Sequence, residues 1–170
     1  NELLASLIER AQKAGATTTL VVSEGLGSEG DRTGGYITLP KERCVLVFAR
    51  GSKGVGDLDL FVYADDGTAL ATDESSSAEA AVVVCPPHPD RAYVTARIAT
   101  GAGIVAIGAA EVSADKAAVA ANAVGAKSQG EESGRLESWP GLETTVAAHR
   151  KAIGSSWEDV RRFATLVDPR

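Results

Sequence analysis

Asp57, Asp59, Asp65, Asp66 and Asp73, followed at once by Glu74, form an acidic cluster within one short stretch of the chain. Calcium is held by six to eight oxygens from carboxylates and backbone carbonyls, which turns between strands can supply, so these five aspartates are the candidate metal ligands. The spacing does not fit an EF-hand, because no acidic ligand closes a twelve-residue loop at the required position. Each residue also has a structural reading: Asp65-Asp66-Gly67 is what a tight turn requires, and Asp73-Glu74 opens a solvated serine segment. Asp57 and Asp59 share one strand face and could be drawn as a glycosidase carboxylate pair, but such pairs are common and non-specific.

Nucleophilic catalysis needs a base beside a serine or cysteine, and the chain has only His88 and His149. His88 sits between prolines in a turn segment, and His149 falls among apolar positions of helical spacing. No G-x-S-x-G elbow is present. The segment 25–30 matches GxGxxG after a strand-like run, yet that fingerprint works only when a helix starts within the loop and offers its N-terminus to a pyrophosphate. Here residues 36–39 read as strand, so the expectation is a glycine-rich loop, no cofactor, no catalytic residue and no enzyme.

Cys44 and Cys85 each lie at the edge of an apolar extended run. In a reducing compartment they read as two small buried hydrophobes; in an exported protein a pair on neighbouring strands reads as a bridge. Metal binding is the weakest reading, because no CxxC spacing and no nearby histidine pair accompanies them.

The elements that must position these residues are mostly strands. In 56–63, Leu58, Leu60 and Val62 alternate with Asp57, Asp59, Phe61 and Tyr63, so one face is apolar and the other polar and aromatic. The turn 64–67 and a return strand over 68–72 complete a hairpin. Further extended runs are read at 17–23, 36–39, 43–50, 79–85, 92–99 and 103–112, separated by glycine, serine and proline segments. Regular turns without intervening helices predict an antiparallel β-sandwich of about eight strands over 16–112. An amphipathic helix is expected over 2–14, with Gly15 as its stop. A helical C-terminal region is expected over 113–170: a helix at 114–124 capped by Ser113, a linker near 125–141, and helices over 142–153 and from Ser155 or Ser156 onward.

A net charge of -6 with 17 dispersed basic residues argues against nucleic acid. No run approaches the roughly 18 apolar residues of a membrane span, so a soluble chain is expected. The absence of methionine and the start at Asn1 inside an amphipathic pattern are expected of a processed chain, from which a signal peptide could have been removed.

The stretch 36–112 carries DLDLFVYADDGTALATDES, then EAAVVVCPP, then RAYVTARIATGAGIVAIGAAEV. It resembles the bacterial pre-peptidase C-terminal domain family, small jelly-roll sandwiches built on a D-L-D-L-x-L-Y-D-x-x-G run, a Y-x-V strand, a glycine turn and a final strand. Residues 57–67 match the first motif, Tyr93-Val94 the second and 101–107 the third, which covers about half the chain. The final strand is shorter and richer in alanine than the pattern, and no protease domain accompanies it in this chain. The chain is also similar to a variant found in exported proteins of myxobacteria, with one cysteine before the D-L-D-L strand and another ending the strand after the hairpin. The resemblance therefore implies a jelly-roll-like sandwich, a Cys44–Cys85 disulfide and an extracytoplasmic address, with calcium in only some relatives. The expected function is a non-catalytic binding, adhesion or assembly module with a protein or glycan partner in the cell envelope. A calcium-stabilised carbohydrate- or protein-binding domain is the alternative, and a hydrolase using His88 or His149 the remaining one.

Overall fold

The computed structural model describes residues 2–86, 88 and 90–126. In chain order the elements are α1 (Ala5–Lys13), β1 (Thr19–Ser28), β2 (Arg32–Leu39), β3 (Arg43–Gly51), β4 (Val55–Ala64), β5 (Ala69–Asp73), β6 (Glu79–Val84), β7 (Asp90–Ser113) and α2 (Ala117–Val124). A single 3₁₀ turn, Ala114–Lys116, precedes α2. The chain divides into two units, Asn1–Ser133 and Gly134–Arg170. The linker beyond Ala126, His149 and the helices expected over 142–153 and from residue 155 lie outside the described residues.

Strand β7 runs for 24 residues and organises the rest. Its first half pairs antiparallel with β2 on one side and β4 on the other; its second half pairs with β1 and β3. Adding β5 beside β4 and β6 beside β3 gives two four-stranded layers, β2-β7-β4-β5 and β1-β7-β3-β6, joined through β7. The mainly antiparallel β architecture with a helix at each end of the described chain is thus as expected, with seven strands in place of eight.

The missing strand boundary has a physical cause. The expected turn at Thr100-Gly101-Ala102-Gly103 is a bend within β7, because the β4 ladder runs up to Gly101 and the β1 ladder takes over at Ala102, so pairing is carried across it. Gly101 adopts φ 93°, and an added Cβ would overlap the Gly54 carbonyl oxygen, so the glycine serves conformation and close approach together. The expected glycine-rich loop at 25–30 is likewise mostly strand. Gly25 and Gly27 lie within β1, and only residues 29–31 interrupt the pairing with β7. There the Gly30 amide donates to the Ile98 carbonyl at 2.8 Å and the Ile98 amide to the Asp31 carbonyl at 3.0 Å, so hydrogen bonding to β7 persists through the interruption.

Two apolar cores follow from strand periodicity. Between the layers lie Val45, Val47, Leu58, Leu60, Val62, Val94 and Ile107, alternate residues of their strands. On the other face of β3, Cys44, Leu46 and Phe48 meet Leu4, Leu7 and Ala11 from the N-terminal helical segment and Ala117, Ala120 and Val124 of α2. Burial on both faces is why β3 reads as a continuous apolar run, while β4 alternates. Helix α1 closes as its spacing predicts: Gly15 has φ 100° and the Ala16 amide returns to the Ala11 carbonyl at 3.0 Å. Ser113 departs from expectation. It makes no side-chain cap to a backbone amide. Its hydroxyl instead bonds the Asp115 carboxylate, the main cause of that group's lowered pKa.

Cys44 and Cys85 form a disulfide with Cα atoms 4.1 Å apart. It extends the β3–β6 pairing one step beyond Val45↔Val84. Closing a loop of this length stabilises the fold by about 4 kcal/mol on the chain-entropy estimate.

Candidate tyrosine face

The expected acidic cluster is not one site. Asp59 points outward from β4, where its Oδ2 accepts from Arg97 Nε at 2.9 Å and Nη2 at 2.7 Å, and it is buried by that cover. Asp73, also buried, follows the alternation of β5 to the opposite side. Its Oδ1 accepts from the Ser75 amide and hydroxyl at 3.1 and 2.6 Å, and its Oδ2 from the Ala81 amide of β6 at 2.9 Å. That last bond satisfies an amide on an edge strand and joins the two layers. Asp57 accepts from the Ser77 amide at 3.0 Å, holding the β5–β6 connection. Asp66 caps its own turn through the Thr68 amide at 2.9 Å, and Asp65 pairs with Arg91 at 3.3 Å. Among the described residues no three His, Cys, Asp or Glu side chains gather as metal ligands. The five aspartates, each bonded to a protein donor and spread over both faces of one layer, do not fit a calcium ion. His88 is exposed in the β6–β7 connection.

The register assembles a different constellation, on the outer face of the layer β2-β7-β4-β5. Tyr63 of β4 stands opposite Tyr93 of β7, which stands opposite Tyr36 of β2. The chain has three tyrosines, and this row contains all of them. The next row is Phe61, Thr95 and Gly34, and the one after it Asp59, Arg97 and Arg32. Outward tyrosines at cross-strand positions stand within contact distance because adjacent strands lie about 4.8 Å apart.

The Tyr36 and Tyr93 ring centroids are 5.1 Å apart with planes at 59°. Phe61 and Tyr63 stack along β4 at 6.1 Å and 11°. The Arg91 guanidinium lies 4.2 Å from the Tyr36 centroid and that of Arg32 lies 5.3 Å from Phe61, both in cation–π range. Tyr36 is 58% exposed and Tyr93 37%, whereas Phe61 is 8% exposed beneath its guanidinium. Gly34 makes room for this arrangement: an added Cβ would come within 2.9 Å of the Tyr93 hydroxyl. Burial pushes the Tyr63 phenol pKa up, the nearby Arg32 and Arg97 charges oppose the shift, and Glu74 adds to it.

Tyr36, Arg32, Arg91 and Arg97 were not singled out by sequence reasoning, and Tyr93 entered it only as part of the Y-x-V motif. The outward alternation of Phe61 and Tyr63 was legible, but tyrosines on three separate strands become neighbours only through register. A shallow cleft lined by Gly25, Leu26, Arg32 and Val105 lies near the bend and has room for about one water.

No family model and no curated protein matches the sequence. Among solved structures the chain is similar to a family GH115 4-O-methyl-α-glucuronidase, BtGH115A, with specificity for decorated arabinogalactans, at 13% identity and a TM-score of 0.32. The likeness covers 58% of this chain and 16% of that one.

Proposed function

We propose that this chain is a non-catalytic, exported β-sandwich module with a binding, adhesion or assembly role in the cell envelope, and that it engages its ligand on the tyrosine face. The observation that carries the reading is the placement of every tyrosine of the chain in one outward row across three strands. Rigid amphipathic rings left in water supply contact area at little entropic cost, and their hydroxyls supply hydrogen bonds. The Cys44–Cys85 bridge is compatible with an oxidising compartment. Among the described residues no helix is long and apolar enough to cross a membrane. The likeness of 36–112 to pre-peptidase C-terminal domains supports the same assignment.

Retention on isolated bacterial envelope and on insoluble polysaccharides tests it, comparing the chain with Tyr36→Ala/Tyr93→Ala. The double variant is expected to lose at least tenfold in retention, on the scale of aromatic stacking, while remaining folded because both rings lie on the outer face of the layer and outside the two apolar cores. Equal retention of the two proteins would remove the face from the account.

A further inference from the structure

The geometry points to a neutral glycan as the ligand: two successive pyranose rings laid across the strands, one on Tyr36 and the next on Tyr93. This rests on the tyrosine face being the binding site. Three observations select the chemistry. Two of the three guanidinium groups of the face are already paired with carboxylates, Arg97 with Asp59 and Arg91 with Asp65, and the third, Arg32, lies over the Phe61 ring. An anionic ligand would gain an ion pair with Arg91 or Arg97 only by displacing Asp65 or Asp59. The exposed rings also step by 5.1 Å, close to the ring-to-ring repeat of a pyranose chain. A polyproline helix repeats the same face only about every 9 Å and docks in aromatic grooves, whereas the cleft described above lies near the bend and not between the tyrosines.

The chemistry of a pyranose complements what is present. Its C–H face packs on an aromatic ring and its equatorial hydroxyls need donors and acceptors at the rim. Arg91 uses its Nε and one Nη on Asp65. A guanidinium carries five N–H donors, so others stay available. The Tyr36 and Tyr93 hydroxyls can both donate and accept. The tilt of 59° between the rings suits a chain whose successive sugars are rotated, more than a flat crystalline surface.

Isothermal titration of the full chain tests this with cellohexaose, xylohexaose and mannohexaose as neutral probes, hexagalacturonate as the acidic probe and decaproline as the peptide probe. At least one neutral hexasaccharide is expected to bind. Its affinity should be unchanged between about 0.05 and 0.5 M salt, because no ligand charge is screened. Tyr36→Ala and Tyr93→Ala should each weaken it by roughly tenfold, with melting curves confirming folded variants. Silence from every neutral hexasaccharide overturns the inference. If hexagalacturonate or decaproline then binds in a manner that either substitution abolishes, the ligand class is wrong while the face stands as a binding site. If no probe binds and envelope retention is also indifferent to both tyrosines, the proposed function fails with it.

Discussion

Asp31 stands in the open, yet its carboxylate accepts from the Ser28 amide at 2.9 Å and the Ser28 hydroxyl at 3.0 Å. Both bonds favour the ionised form, the backbone one most, and hold its pKa below the usual 3.8. A carboxylate lowered by folding contributes stability above its unfolded pKa and loses it as pH falls through the folded value. Carboxyl NMR should therefore show Asp31 titrating below pH 3.8, and Ser28→Ala should move its midpoint upward by removing the hydroxyl bond. An unmoved midpoint would separate Asp31 from Ser28. Asp59 offers the opposite case, a carboxylate 3% exposed under one guanidinium. Arg97→Ala leaves that charge buried without its partner. The expected loss is about 3 kcal/mol, the low end for a broken buried pair, because the Arg97 side chain is 31% exposed. Urea unfolding reads it, and a loss within error would mean water replaces the guanidinium freely.

At the scale of elements, β3 and β7 show how tightly two apolar faces can be fixed by one small residue. Phe48 stands opposite Gly108, and its ring fills the space a side chain would take there. A Cβ on Gly108 would come within 2.5 Å of the Phe48 ring and 3.2 Å of Leu4, both fully buried. Gly108→Ala should therefore destabilise by about 1–3 kcal/mol through overpacking, visible as a lower denaturant midpoint with an unchanged slope. A neutral result would show that the helical segment yields at Leu4. The turn at Asp65-Asp66-Gly67 is a local matter and could be read from residue order. The bend in β7 could not: a glycine pair between two strand-like runs reads as a hairpin until the neighbours on either side are known.

For the molecule as a whole, the binding reading and the calcium alternative make opposite forecasts. With every one of Asp57, Asp59, Asp65, Asp66 and Asp73 bonded to a protein donor, EDTA should leave the melting temperature unchanged. A bound ion stabilises by mass action, so a drop that added calcium restores would reinstate the metal site.

The sequence by itself determined the antiparallel β class, the flanking helices, the polar and apolar sides of β4, and the turn chemistry of its aspartates. Those features depend on periodicity and on residues a few positions apart, which the order of amino acids carries directly. Tertiary structure alone decided that β7 is one strand serving two layers, that five clustered aspartates go separate ways, and that Tyr36, Tyr63 and Tyr93 form a row, whereas the Cys44–Cys85 bridge is the one the resemblance implied. Each of these is a matter of which distant segments pair and in what register. A slip of one residue would turn every side chain of a strand to its other face.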